Sequence, residues 1–271
     1  TRYWRDWSSD VCSSDLKMGL AKVWNQSPQA VRMIEHARQE GLDVSADVYP
    51  YVFWQSTIRV LTNSRDWGNR QVWVDALKDV GGAEHVHLTS YSGDPTWVGK
   101  TLAQISATTG KEAPDLIMEI IDKTTAPGTH ESVMVEAMIE PDLITFLKQP
   151  WMMICSDGNG GGTHPRSAGS FPRILARYVR DEHILTWEDA VRKMTSLPAK
   201  RFKLSGRGLI KPGYVADVLV FDPATISDRS TPEHPKTMAT GISYAFVNGS
   251  PVIDQGRLTS LRPGTSIRRG N

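Results

Sequence analysis

Three features of the sequence predict an α/β fold with β-structure appended after it. A helical pattern starting at Ser27 flows into an alternating strand that ends at Tyr49-Pro50-Tyr51. A continuous apolar run, Trp151 to Cys155, stops at Ser156-Asp157-Gly158. Past Gly206, short apolar stretches divided by Pro212-Gly213 and Asn248-Gly249 replace the helical texture.

Each element has a local cause. Ser27-Pro28 offers an N-cap and a first-turn proline, Val31, Ile34 and Ala37 follow at helical spacing, and Gly41 stops the helix. Leu42, Val44, Ala46 and Val48 alternate with polar residues, which predicts a strand ended by Pro50. Trp67, Trp73, Val74 and Leu77 suggest one helix before Gly81-Gly82, and His85 to Leu88 a short strand. Val98, Leu102 and Ile105 support a helix near 97–107. Pro114 opens a helix with Leu116, Ile117, Ile120 and Ile121 on one face, and Pro141 opens a short one through Leu147. The run Trp151–Cys155 fits a strand buried on both faces, as in a parallel sheet. Phe171 to Arg180 reads as a helix, and Thr186 caps another carrying Trp187, Val191 and Met194. Leu209-Ile210 and Val218–Phe221 read as strands, and Tyr244–Val247 with Pro251–Ile253 as a hairpin turning at Asn248-Gly249.

Composition narrows the function. With 271 residues, the chain has material for a sizeable core without disulfides. Apolar residues are 39% and charged residues 23%, a globular balance. Lys and Arg total 31 against 30 acidic residues, so a net charge of +1 gives no general pull on nucleic acid or an anionic membrane. No apolar run reaches the roughly 18 residues of a membrane helix. Two cysteines make no disulfide framework, which favours a reducing, cytoplasmic setting.

Asp157 is the most informative position. A carboxylate at the C-terminal end of a buried strand lies where α/β barrels place catalytic groups, and there it can bind a metal or accept a proton. Tyr49, Tyr51 and Ser56 follow the other strand end and suit the same rim. Arg166, after the glycine-rich stretch 159–162, can grip a carboxylate with two parallel hydrogen bonds. His85-x-His87 would put two imidazoles on one side of a strand, but zinc needs about three or four protein ligands. Cys155 reads as a small buried apolar residue. His36, His130, His183 and His234 have no ligand spacing.

Several stretches together resemble the C-terminal half of N-acyl-D-amino-acid deacylases, the D-aminoacylase branch of the amidohydrolase superfamily. They are Gly41–Tyr51, Ile154–Gly158, His164–Arg173, Tyr178–Arg180, Ala190–Thr195, Gly206–Gly213, Ala216-Asp217, Phe221–Pro223 and Val247–Gly249. The resemblance implies part of a metal-dependent (β/α)₈ barrel over 17–205 and part of a small β-sandwich over 206–271. It implies zinc-assisted hydrolysis of a small N-acyl amino acid to a carboxylate and a D-amino acid. Asp157 would be both a metal ligand and the proton shuttle; Lys17, Tyr49, Ser56 and Arg166 would hold the substrate's α-carboxylate.

The family's remaining zinc ligands, an early His-x-His pair, a cysteine and two later histidines, would precede Lys17. The sequence carries none of them, and His85-x-His87 falls too late to match the early pair. One carboxylate does not hold a catalytic zinc, so this stretch alone is expected to be inactive. Residues 1–16, with RDWSSDVCSSDL, resemble a translated sequencing adapter, which would put the start of natural sequence near Lys17. The rival readings are a cyclic amidase of hydantoinase or dihydroorotase type, against which Tyr-Pro-Tyr and His-Pro-Arg speak, and a non-catalytic binding module.

Overall fold

The structure is a computed structural model that describes residues 16–158 and 162–267. The adapter-like segment therefore lies outside the described residues except for Leu16, whose N–H donates to the Asp47 carbonyl at 2.8 Å. Residues 159–161 of the glycine-rich stretch also lie outside them. The first half of the chain runs α1 (Ser27–Gln39), β1 (Ala46–Val48), β2 (Phe53–Ser56), α2 (Arg70–Asp79), β3 (Val86–Tyr91), α3 (Leu102–Thr109), α4 (Ala113–Lys123) and β4 (Glu131–Glu136). It continues with α5 (Glu140–Leu147), β5 (Met152–Ile154), α6 (Arg166–Arg173), α7 (Trp187–Met194), α8 (Ser196–Arg201), β6 (Val218–Phe221), β7 (Ile242–Val247), β8 (Ser250–Asp254) and β9 (Arg257–Leu258). The chain divides into two compact units, one of residues 30–50 and 144 onward, the other of 17–29 and 51–143.

In the first unit β1 and β5 pair in parallel, Ala46 opposite Met152 and Val48 opposite Ile154. Met152, Met153 and Ile154 are all buried, as a strand covered on both faces requires. The predicted strand over 42–48 is correct only from Ala46. Leu42 is exposed, and β5 offers a ladder just three residues long, so 42–45 have no partner strand among the described residues. The helix predicted from Phe171 starts earlier, at Arg166, and beyond Arg173 it continues to Asp181 with π-helical bonding. Pro172 lies inside it and has no N–H to give to the usual i→i−4 ladder. Thr186 caps α7 by accepting from the Asp189 N–H.

The same unit carries an antiparallel sheet of order β6-β7-β8-β9. Its hairpin turns at Asn248 and Gly249, both with positive φ (49° and 76°), the pair of conformations that a two-residue turn of this hand demands. Leu209-Ile210 form no strand: Ile210 is 92% exposed and no described residue pairs with it.

The second unit is an antiparallel sheet of order β2-β4-β3, packed with α2, α3 and α4. Its core holds Trp73, Val86, Leu88, Ile105, Ile117 and Val133, all without solvent exposure. The sequence gives no warning of β4, or of β2 so soon after the strand end at Pro50. Trp67 stands before α2 rather than in it, where its carbonyl accepts the Trp73 indole N–H at 2.9 Å. The helix expected near 97–107 starts at Leu102, because Thr101 and Gln104 close a reciprocal capping box.

Candidate active site

The parallel register brings the C-terminal ends of β1 and β5 side by side, and the Cys155 N–H extends the ladder to the Val48 carbonyl at 3.1 Å. Tyr49 directly follows β1; Ser156 and Asp157 follow β5. Asp157 has φ 43°, a left-handed conformation that costs a non-glycine residue energy and turns the chain sharply off the strand. Gly158 is required next: a Cβ there would lie 2.6 Å from Ser167 Cα, so a side chain would push this loop away from α6. The close approach sets Asp157 beside Arg166, the first residue of α6.

Arg166 ties the site together. Its Nη2 lies 2.8 Å from Asp157 Oδ2. The guanidinium carbon lies 4.7 Å from the Tyr49 ring centroid, a cation–π contact. Its backbone N–H donates to His164 Nδ1 at 3.0 Å, so a neutral His164 carries its hydrogen on Nε2. The His164 ring meets the Tyr49 ring edge-on, with centroids 5.8 Å apart. Tyr49 and His164 are buried, and the Arg166 side chain is 12% exposed, whereas the Asp157 side chain is 43% exposed. Among the described residues Arg166 Nη1 is buried with no hydrogen-bond partner. Buried donors are almost always paired, so this one is an exception that calls for an acceptor.

Of the five residues singled out in the sequence, the structure thus brings Tyr49, Asp157 and Arg166 together in one unit. Lys17 and Ser56 belong to the other unit, where Ser56 ends β2 opposite Val133. His85 lies in a turn just before β3, its Nδ1 3.7 Å from Glu136 Oε2, while His87 pairs with Met134 on the strand. The period-two argument therefore does not apply to that pair. Among the described residues no group of three or more His, Cys, Asp or Glu side chains could hold a metal ion.

Sequence reasoning passed over the contribution of His164, because one histidine in a loop looks like any surface residue; its place before Pro165 and Arg166 was the available signal. It also passed over Lys193. This lysine is fully buried on α7, and its Nζ donates to the Gln149 carbonyl and, at 3.4 Å, to the Met152 carbonyl at the start of β5. Burial lowers its pKa to about 8, a shift only partly opposed by Asp189. Lys193 thus anchors the strand at the end opposite Asp157. No helix among the described residues is long and apolar enough to cross a membrane.

An N-acyl-D-glutamate deacylase of Alcaligenes xylosoxydans is 35% identical over 248 residues, 91% of this chain and 46% of that protein. The crystal structure of a D-aminoacylase superposes with a TM-score of 0.78 at 34% identity, covering 94% of this chain and 49% of the other. An N-acyl-D-glutamate deacylase of Bordetella bronchiseptica, complexed with zinc and a phosphonate mimic of the tetrahedral intermediate, superposes at 0.74 with 31% identity, covering 91% and 49%. The chain spans about half the length of the curated relatives it matches. The sequence pattern of the amidohydrolase family matches residues 32–253, a stretch that contains Tyr49, Asp157, His164 and Arg166, and the chain belongs to that family.

Proposed function

We propose that this chain carries the substrate-carboxylate grip and the proton-transferring carboxylate of an enzyme that deacylates N-acyl-D-amino acids. The observation that carries this reading is the pairing of Arg166 with Asp157, with Nη1 of the arginine buried and unpartnered beside them. A substrate carboxylate supplies the acceptor that Nη1 lacks. Tyr49 fixes the guanidinium by covering one face of it. Asp157, the more exposed partner, accepts a proton from the attacking water and returns it to the leaving amine. Residues 17–205 then form part of a (β/α)₈ barrel and 206–271 part of a β-sandwich; the parallel β1–β5 pair and the antiparallel sheet beginning at Val218 support that division.

Zinc in the Bordetella bronchiseptica relative suggests a metal for this enzyme too. The described residues do not fit one by themselves: zinc takes about three protein ligands, and Asp157 is a single carboxylate already paired with Arg166. The chain by itself is accordingly expected to hydrolyse no amide.

The test is a chimera in which this chain replaces the matching half of the Alcaligenes D-aminoacylase. It should release the D-amino acid from N-acetyl-D-amino acids and leave the L-enantiomers intact. A folded, zinc-loaded chimera without turnover on any of them would overturn the reading.

A further inference from the structure

A second polar cavity lies in the same unit as Asp157, at the other ends of β1 and β5. Ser45 directly precedes β1 and Trp151 directly precedes β5, and both line it. The cavity has a volume of about 520 Å³. Five cationic side chains line it, Arg38, Arg192, Lys200, Arg201 and Lys203, against one carboxylate, Asp43.

Part of this charge is spent within the fold. Arg38 donates to the Val44 carbonyl, and Arg192 donates to Asp189 at 2.8 Å and to the Pro150 carbonyl at 2.9 Å. Arg201 Nη1 donates to the carbonyl and the carboxylate of Asp43 at 3.1 and 2.9 Å. Two buried polar groups are left over. Among the described residues Arg201 Nη2 and Ser45 Oγ have no hydrogen-bond partner, and Ser45 is only 8% exposed. Native proteins rarely strand such groups, and two at one cavity mark a missing acceptor. Lys200 and Lys203 stand exposed at the same cavity.

We propose that this cavity binds a phosphate group, either as free phosphate or as the end of a small phosphomonoester. The donors come from separate elements: Arg38 from α1, Ser45 from the segment before β1, Arg192 from α7 and Arg201 from α8. A planar carboxylate offers two oxygens, whereas the non-coplanar oxygens of a phosphate dianion meet donors converging from several sides. The volume falls within the roughly 300–1,000 Å³ of small-ligand sites, which leaves room for an ester group beside the phosphate.

Calorimetric titration of the chain with inorganic phosphate and with glycerol 3-phosphate, at constant ionic strength, tests this. Saturable binding is expected, with the melting temperature rising as the site fills. Tighter binding of glycerol 3-phosphate identifies the ester as the ligand; equal binding shows that the phosphate group alone is read. Ser45→Ala and Lys200→Gln should each weaken binding by roughly 3- to 10-fold, and Arg201→Met by more. Lys200 is exposed, so its variant reports even if Arg201→Met fails to fold. Arg166→Met should leave phosphate binding unchanged, which separates this cavity from the site around Asp157. Absence of saturation would overturn the proposal. So would loss of binding in Arg166→Met with none in Ser45→Ala or Lys200→Gln.

Discussion

Arg166 Nη2 and Asp157 Oδ2 are ion-pair partners 2.8 Å apart, although the proposed chemistry gives one of these residues to recognition and the other to proton transfer. In the proposed chemistry this pair links the two roles. Nη1 lacks an acceptor among the described residues, and Nη2 has a second N–H besides the one directed at Asp157, so a substrate carboxylate would bind next to the proposed proton acceptor.

Asp157→Asn in the chimera keeps the shape and an oxygen for Arg166 but removes the proton acceptor. The value of kcat should fall by roughly 10²–10⁴, the range for loss of a general base. KM should change less. Steady-state kinetics with a folded variant checks this, and near-normal turnover would remove Asp157 from the mechanism.

Arg166→Met should show the opposite weighting. It removes a contact made equally to substrate and transition state, so KM rises more than kcat falls. Methionine keeps an apolar stem against Tyr49, and loss of the partly exposed ion pair and cation–π contact should cost about 1 kcal/mol in stability. A fall in kcat alone would show that the arginine acts on the reacting atoms.

Lys193 gives a pH signature. Its folded pKa of about 8 lies below the ordinary 10.5, so between these values the unfolded chain binds more protons than the folded one. Stability from this group therefore rises with pH through that window, by up to about 3 kcal/mol, and the burial penalty is fully present below pH 8. Denaturant unfolding at pH 7.5 and 10 should show the wild type gaining on Lys193→Met. A pH-independent difference would mean that folded Lys193 stays protonated through this window, with an ordinary lysine pKa.

In the second unit, Glu131 is buried and accepts from the Ile58 N–H and from Arg59, both at 2.8 Å. Desolvation nonetheless raises its pKa, because burial outweighs both partners. Glu131→Ala leaves the half-buried Arg59 without its carboxylate and should destabilise this unit by about 3 kcal/mol. Glu131→Gln should cost less, since its amide oxygen can still accept from Ile58. Thermal unfolding of the two variants gives the ranking, and equal losses would show that the charge, not the backbone contact, matters.

What the sequence determined by itself was whatever short-range chemistry controls. The apolar spacing of α1 and α4, the Thr186 cap of α7, the Asn248-Gly249 turn and the buried run of β5 depend on neighbours a few residues away. Asp157 and Arg166 stood out for the same reason, one ending an apolar strand and the other following glycines. Tertiary structure alone decided the rest. β2 and β4 are strands because Phe53 meets Glu136 and Ser56 meets Val133 across a long stretch of chain. Residues 42–45 and Leu209-Ile210 have the pattern but no partner strand among the described residues, and an unpaired strand has no ladder to hold it. Lys193 sits on a helix where its sequence neighbours suggest solvent, and only the packing of α7 against β5 buries it over two carbonyls. The contact between Arg166 and Asp157 follows equally from Gly158 letting its loop close on α6. Hydrogen-bond ladders, burial and ion pairs are properties of pairs distant in sequence, and no local pattern encodes a partner's position.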